Sequence, residues 1–429
     1  MKLTCEEKAM LAGEMGPAAS EALARQMEVG TFFRAQDFVP VQTVHVMADT
    51  EALADPGLRF LEETAAAGAR FRVPVTTNPR SVDFAMWRDV GQDEDTVNRE
   101  RRIVNALTAM GALPCNTCIN YQTVDPPRFG EHLGWGDTGT VIFANSVAGA
   151  RSNFEAGPAA VWAGLTGRAP RYGFHLPEKR RGSVRVLIED QPASNSDWGA
   201  LGCVVGRRMD DYWRVPVFEG VQERPSIDDL KHLGAALASY GSLAMFHMVG
   251  VTPEARTAEE AYGGPEPEET IVISPGTLRA AYDSFQPEKD AVDLVVCGTP
   301  QLSLFELQSI AELLRGRRVH PDTTLYLTTN YQIKALADRM GYTEMVEEAG
   351  GRILAGVCFY IMNARVLQER FSYRTLVTNS AKLANIISGY GYNPVFRPVE
   401  TCIDAAVTGR VASRDGDGNF PCDASPVGR

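Results

Sequence analysis

The densest unusual chemistry in the 429-residue chain lies between Pro114 and Arg181. Two cysteines three apart, Cys115 and Cys118, open the stretch, and Phe129-Gly130-Glu131-His132 follows. The apolar run Val141-Ile142-Phe143-Ala144 then breaks into Asn145-Ser146 and Gly149-Ala150-Arg151-Ser152-Asn153. A strand-like run that ends in small polar residues and opens a helix suits a turn whose main-chain N–H groups meet an anion. The same pattern also describes a buried strand followed by an ordinary capped helix. A second such turn is Thr378-Asn379-Ser380-Ala381-Lys382. Asn379 and Ser380 would stand at a helix N-terminus with Lys382 in its first turn, a cradle for a carboxylate or phosphate. Its plain alternative is an N-cap followed by a surface lysine.

The elements that must position these residues are legible in part. Thr4 followed by Glu7 has capping-box spacing, and a second helix runs through Ala18–Gly30. Phe38–Val46 reads as a short buried strand that carries His45, and Phe71–Thr77 as a strand closed by Asn78-Pro79. Helices are expected over Leu58–Ala67, Asn98–Met110 and Ile227–Ala238, and strands over Val184–Glu189 and Leu243–Val249. Gly199 and Gly202 permit a tight turn or a close backbone approach. Pro253–Glu269 is acidic and rich in Pro and Gly, and reads as an exposed crossover between lobes spanning 1–252 and 271–410. Beyond it, nearly continuous apolar strands (Thr270–Ser274, Val292–Cys297, Thr324–Thr328, Arg352–Phe359 and Thr375–Thr378) alternate with helices, the signature of a two-sided parallel sheet. Ligands bind at the carboxyl ends of such strands, where Gly298-Thr299-Pro300-Gln301, Cys358 and Asn379–Lys382 would sit. The tail Val411–Arg429, rich in Gly, Asp and Pro, reads as flexible.

Composition bounds the function. Net charge is −12 with Lys and Arg scattered, which argues against nucleic-acid and anionic-membrane partners. No uncharged apolar run approaches the ~20 residues that span a bilayer. Eight dispersed cysteines in a large chain without an evident export signal point to a reducing, cytoplasmic setting rather than a disulfide framework. No His-Glu-x-x-His occurs and no Gly-x-Gly-x-x-Gly follows a strand, which disfavours a zinc hydrolase or a Rossmann dehydrogenase.

Pro-Arg-Phe-Gly-Glu-His, Phe-Ala-Asn-Ser-Val-x-Gly-Ala-Arg-Ser-Asn, Gly-Pro-Ala-Ala, Leu-Thr-Gly-Arg-x-Pro and Tyr-Gly-Phe-His-Leu, in that order, resemble the aconitase X family. Gly13-Glu14, Thr43-Val44-His45, Phe246–Glu254 and Thr378–Lys382 extend the resemblance over all but the C-terminal tail. It implies an α/β, aconitase-like fold of several lobes, with parallel sheets flanked by helices around a central cleft. It also implies a hydro-lyase that removes water from a small anionic β-hydroxy substrate. Bacterial forms resemble cis-3-hydroxy-L-proline dehydratases, and archaeal forms act on phosphorylated mevalonate.

By resemblance, an iron–sulfur cluster held by Cys118, Cys358 and Cys402 would act as Lewis acid. Catalytic candidates are His45, Glu131, His132, Ser380 and Lys382; substrate-binding candidates are Asn145, Ser146, Asn153 and Asn379. The chain has the length of the large part alone, so a separate small swivelling-domain subunit is expected to close the cleft. Five residues depart from that pattern. Thr299 and Gln301 replace the cysteine and histidine of the Gly-Cys-Pro-His found in many relatives, and Asn120, Asp137 and Phe154 differ around the presumed pocket. They leave open a cluster-free or divergent homologue, or a binding subunit without catalysis.

Overall fold

The computed structural model describes residues 1–411; the expected flexible tail lies, apart from Val411, outside them. Among the described residues the fourteen strands are β1 (Phe38–Pro40), β2 (Val44–Val46), β3 (Val75–Thr77), β4 (Gly134–Trp135), β5 (Arg168–Pro170), β6 (Val184–Ile188), β7 (Pro216–Glu219), β8 (His247–Met248), β9 (Thr270–Ile273), β10 (Leu294–Cys297), β11 (Thr324–Thr329), β12 (Arg352–Ala355), β13 (Thr375–Thr378) and β14 (Asn393–Phe396). They form a small antiparallel pair, β1-β5, and three parallel sheets in the orders β3-β2-β4, β8-β7-β6-β9 and β12-β11-β10-β13-β14. Each parallel sheet is built by helical crossovers, as its buried apolar strands require. Among the described residues no helix is long and apolar enough to cross a membrane.

Local signals hold where they were strong. Thr4 and Glu7, and Ser303 and Glu306, form reciprocal capping boxes on the helices Cys5–Leu11 and Leu304–Leu314. The glycines after Trp198 serve a close approach rather than a turn. In the helix Asn195–Met209, a Cβ on Gly202 would lie 2.7 Å from the Leu233 carbonyl oxygen of the neighbouring helix Ile227–Gly241.

Several expectations are corrected. Phe38–Val46 is two strands in different sheets, interrupted after Pro40. The Val141–Ala144 run is helix, not strand. Asp137 caps Thr138–Phe143 by accepting from Thr140 N at 3.0 Å, and a π-helical turn, Ala144–Ala148, continues it to Gly149 in the left-handed region. Full burial of that segment explains its unbroken apolar pattern. β9 pairs with β6 in the middle sheet, so the sheets divide the chain after the helix Thr277–Asp283 rather than at 253–270. That acidic crossover also holds a short helix, Ala258–Tyr262, whose Ala261 and Tyr262 are buried.

Candidate active site at the facing strand ends

The carboxyl ends of two parallel sheets face each other. From the N-terminal sheet come His45 on β2, Thr77 at the end of β3 and Asn78 after it, and Gly136-Asp137 after β4; from the C-terminal sheet come Thr299 and Gln301 after β10, Asn330 after β11, Cys358 after β12 and Asn379–Lys382 after β13. Contacts across the seam are direct. Arg80 N donates to the Gly356 carbonyl at 2.8 Å, and Asn330 Nδ2 donates to Thr117 Oγ1 at 3.0 Å. Gly298, with φ of +126°, is required at the β10 exit because a Cβ there would lie 2.5 Å from the Thr328 carbonyl oxygen.

Cys118 and Cys358 meet in this seam, close enough for each to shift the other's titration. Gln301 N donates to Cys118 Sγ at 3.3 Å, and Thr299 Oγ1 lies 3.4 Å from Cys358 Sγ. The contact with Cys358, followed by burial, pushes the Cys118 thiol up. Burial also works against a Cys358 thiolate, but the contacts of Cys118 and Thr299 and the charge of Lys382 outweigh it and hold Cys358 down. Lys382 is 6% exposed and its ammonium lies 5.9 Å from the centre of the Tyr360 ring. Burial alone would lower its pKa; Asp137 and the two sulfurs reverse that and raise it, so the cation is fixed. A Cβ on Gly139 would lie 3.3 Å from Asp137 Oδ1 and 3.7 Å from Lys382 Nζ, so the backbone there closely borders both groups.

His45 belongs to the same neighbourhood. It is fully buried, with Nδ1 2.8 Å from Thr76 Oγ1 and Nε2 3.4 Å from Asn78 Oδ1. Burial lowers its pKa to about 4 despite the nearby Asp137 carboxylate, so the ring is neutral. Ser380 caps the helix Ala381–Ile387 by accepting from Leu383 N at 3.0 Å, and its hydroxyl donates to the Thr299 carbonyl. Asn379 Oδ1 and both amide atoms of Asn120 are buried without a hydrogen-bond partner among the described residues. Such atoms are costly to leave unmet and fit polar atoms of a bound molecule.

Other candidates lie elsewhere. Glu131 Oε2 accepts from Arg128 N at 2.9 Å in an exposed turn, and His132 pairs with His175, Nδ1 to Nδ1, at 2.9 Å. Asn145 donates to the Ser152 and Ala244 carbonyls and accepts from Ser152 N. Ser146 Oγ accepts from Phe246 N, and Asn153 spans Tyr172 O and Phe174 N. These three side chains bind main chain around the π-helical turn.

Cys402 does not join the other two thiols. It sits on the helix Val399–Thr408, covering the sheet face on which Val295 and Cys297 lie, touches Cys297, and donates to the Arg397 carbonyl at 3.4 Å. Among the described residues no group of three or more His, Cys, Asp or Glu side chains could hold a metal ion. A cluster with three protein thiolates therefore does not fit the donors present: where a third sulfur would be needed beside Cys358, the Thr299 hydroxyl stands. Asp137, Asn120, Thr299 and Gln301 enter the site although only their departure from the family pattern marked them; for Asp137 the additional signal was its N-cap spacing to Thr140.

Family models describing the first, second and third domains of aconitase X match residues 1–178, 182–283 and 292–408. The phosphomevalonate dehydratase large subunit of Methanocaldococcus jannaschii is 35% identical over 90% of this chain and 94% of its own length. The cis-3-hydroxy-L-proline dehydratases of Pseudomonas aeruginosa and Hypocrea jecorina are 36% and 33% identical over 95% of this chain, which spans 70% and 69% of them. The crystal structure of Thermococcus kodakaraensis aconitase X in its holo form superposes with a TM-score of 0.85 at 33% identity, covering 95% of this chain and all of that one. With three successive domains matched and the fold shared over nearly its whole length, the chain belongs to the aconitase X family of dehydratases.

Proposed function

We propose that the chain eliminates water from a small anionic β-hydroxy substrate, with cis-3-hydroxy-L-proline the first candidate and phosphomevalonate the second. The observation that carries this reading is the buried Lys382 ammonium, placed beside Asp137, Cys118 and Cys358 at the facing strand ends. Elimination breaks one C–H and one C–O bond, forms C=C and releases water, with no net redox change. It needs a fixed positive charge for the carboxylate or the departing hydroxyl, and groups that take and give one proton. Lys382 is the cation. The Cys118–Cys358 pair beside it and neutral His45, next to Asp137, are the proton-handling groups, and the unmet amides of Asn120 and Asn379 would orient the substrate. No step is assigned to an iron–sulfur cluster, since no third thiolate stands beside Cys118 and Cys358 among the described residues.

The names of archaeal relatives include a large subunit, and the longer cis-3-hydroxy-L-proline dehydratases extend beyond the region shared with this chain. We infer that a separate small subunit completes the site. The free, buried thiols suit a reducing cytoplasmic setting. The test is dehydration of both substrates, followed by mass spectrometry, by the purified chain with and without the small-subunit gene product of the same genome. Turnover only with the pair supports the reading; no turnover of either substrate by the pair overturns it. A divergent, cluster-free homologue is favoured specifically by Thr299 beside Cys358. Iron and acid-labile sulfide assayed after anaerobic purification separate it from a cluster-bearing enzyme.

A further inference from the structure

Gln301 is wholly buried, and its hydrogen bonds reach four separate segments. Its side-chain oxygen accepts from Cys118 N at 3.3 Å, and its own N–H donates to Cys118 Sγ at 3.3 Å. Its amide nitrogen donates to the carbonyls of Asn116, Thr329 and Val357 at 3.2, 3.0 and 3.0 Å. The Asn116 and Cys118 contacts belong to the loop before Asn120 in the N-terminal region; Thr329 ends β11, and Val357 immediately precedes Cys358. Its carbonyl in turn accepts from Lys231 Nζ at 3.3 Å, and Lys231 is itself held by Glu306 and Asp228.

One amide thus ties the main chain at Cys118 to the main chain next to Cys358. The two sulfurs come from regions more than two hundred residues apart, and Gln301 bonds both of their loops beside the Arg80–Gly356 and Asn330–Thr117 contacts of the same seam. Its two N–H groups, shared among three carbonyls, cannot be replaced by a carboxylate, because every partner on that side is an acceptor.

We propose that Gln301 is the positioning residue of this site, holding Cys118 and Cys358 in register across the seam between the two facing sheets. The proposal rests on the dehydratase reading only for its kinetic consequence. Its structural consequence is separate: both thiols should depend on Gln301, and cysteines in other cores should not.

The test uses the full chain, with the small subunit for the kinetic arm. Gln301→Glu keeps the acceptor for Cys118 N and removes the amide donors; Gln301→Met keeps the length and removes all the side-chain hydrogen bonds. Alkylation by N-ethylmaleimide of the native protein is followed cysteine by cysteine by peptide mapping. In both variants Cys118 and Cys358 should react faster by on the order of tenfold or more, while Cys203 and Cys402 keep wild-type rates. In the kinetic arm kcat should fall with KM nearly unchanged. Thr299→Val removes the hydroxyl beside Cys358 Sγ that holds this thiol down, and should slow alkylation of Cys358 while Cys203 and Cys402 keep wild-type rates.

A parallel rise at Cys203 and Cys402, unchanged rates at Cys118 and Cys358, or loss of cooperative folding in both Gln301 variants would each overturn the proposal and make Gln301 an ordinary packing residue. A wild-type pair inactive on both substrates would sink the dehydratase reading while leaving the thiol rates to decide the role of Gln301.

Discussion

His132 and His175 face each other with their Nδ1 atoms 2.9 Å apart, so one ring must donate and the other accept. A further proton would set two donors against each other beside Arg151 and Arg180. Burial, then those guanidinium groups, lowers the pKa of His132 to about 4; burial and His132 hold His175 well below the ordinary value.

A pH dependence of stability follows, with a definite sign. Above about pH 6.5 both rings are neutral in the folded and unfolded states, and the pair contributes fully. As pH falls from 6.5 towards 4 the unfolded chain takes up protons first, and that contribution is lost. Buried Glu155, raised to about 7 by desolvation, works in the opposite sense over part of the same range. Urea midpoints of wild type and His132→Asn from pH 7 to pH 4 isolate the pair: the wild type should lose stability relative to the variant as pH falls. A constant difference across the range refutes this account.

Lys382→Met keeps the length of the side chain and removes the fixed charge. Dehydratase activity should drop by about a hundredfold to a thousandfold, the usual cost of deleting one preorganised electrostatic contact. Steady-state kinetics at saturating substrate checks this, and an activity within a few-fold of wild type would exclude Lys382 from the reaction.

Gly139→Ala separates activity from stability. An alanine favours the helix by up to about 1 kcal/mol. Its methyl group would nevertheless press on Asp137 Oδ1 at 3.3 Å and stand 3.7 Å from Lys382 Nζ. The expected result is an unchanged or slightly higher melting temperature with activity reduced on the order of tenfold, because misplacement of charged groups is costly at a reacting centre.

Cys402→Ala tests which thiols matter. Cys402 packs against Cys297 in the core of the C-terminal sheet. Its loss should cost about 1 kcal/mol of stability from imperfect packing and leave activity and metal content at wild-type levels. Iron lost selectively with Cys402 would restore the three-thiolate arrangement that the resemblance implied.

The amino-acid sequence by itself determined the helix starts at Thr4 and Ser303, the apolar parallel strands from Val292 onward, and the turn at Asn379–Lys382. All of these are written in short-range hydrogen bonding and periodicity. It misread Val141–Ala144 because a short run buried on every side carries no alternation, and a strand and a helix then look alike; the Asp137 cap was the local clue. Tertiary structure alone decided that β9 joins the middle sheet, since strand pattern does not name a partner. It also decided that Cys118 meets Cys358 while Cys402 does not, and that Asn145, Ser146 and Asn153 bind main chain. Which distant side chains converge depends on how sheets face one another and on which carbonyls need donors, and neither is encoded within one stretch of chain.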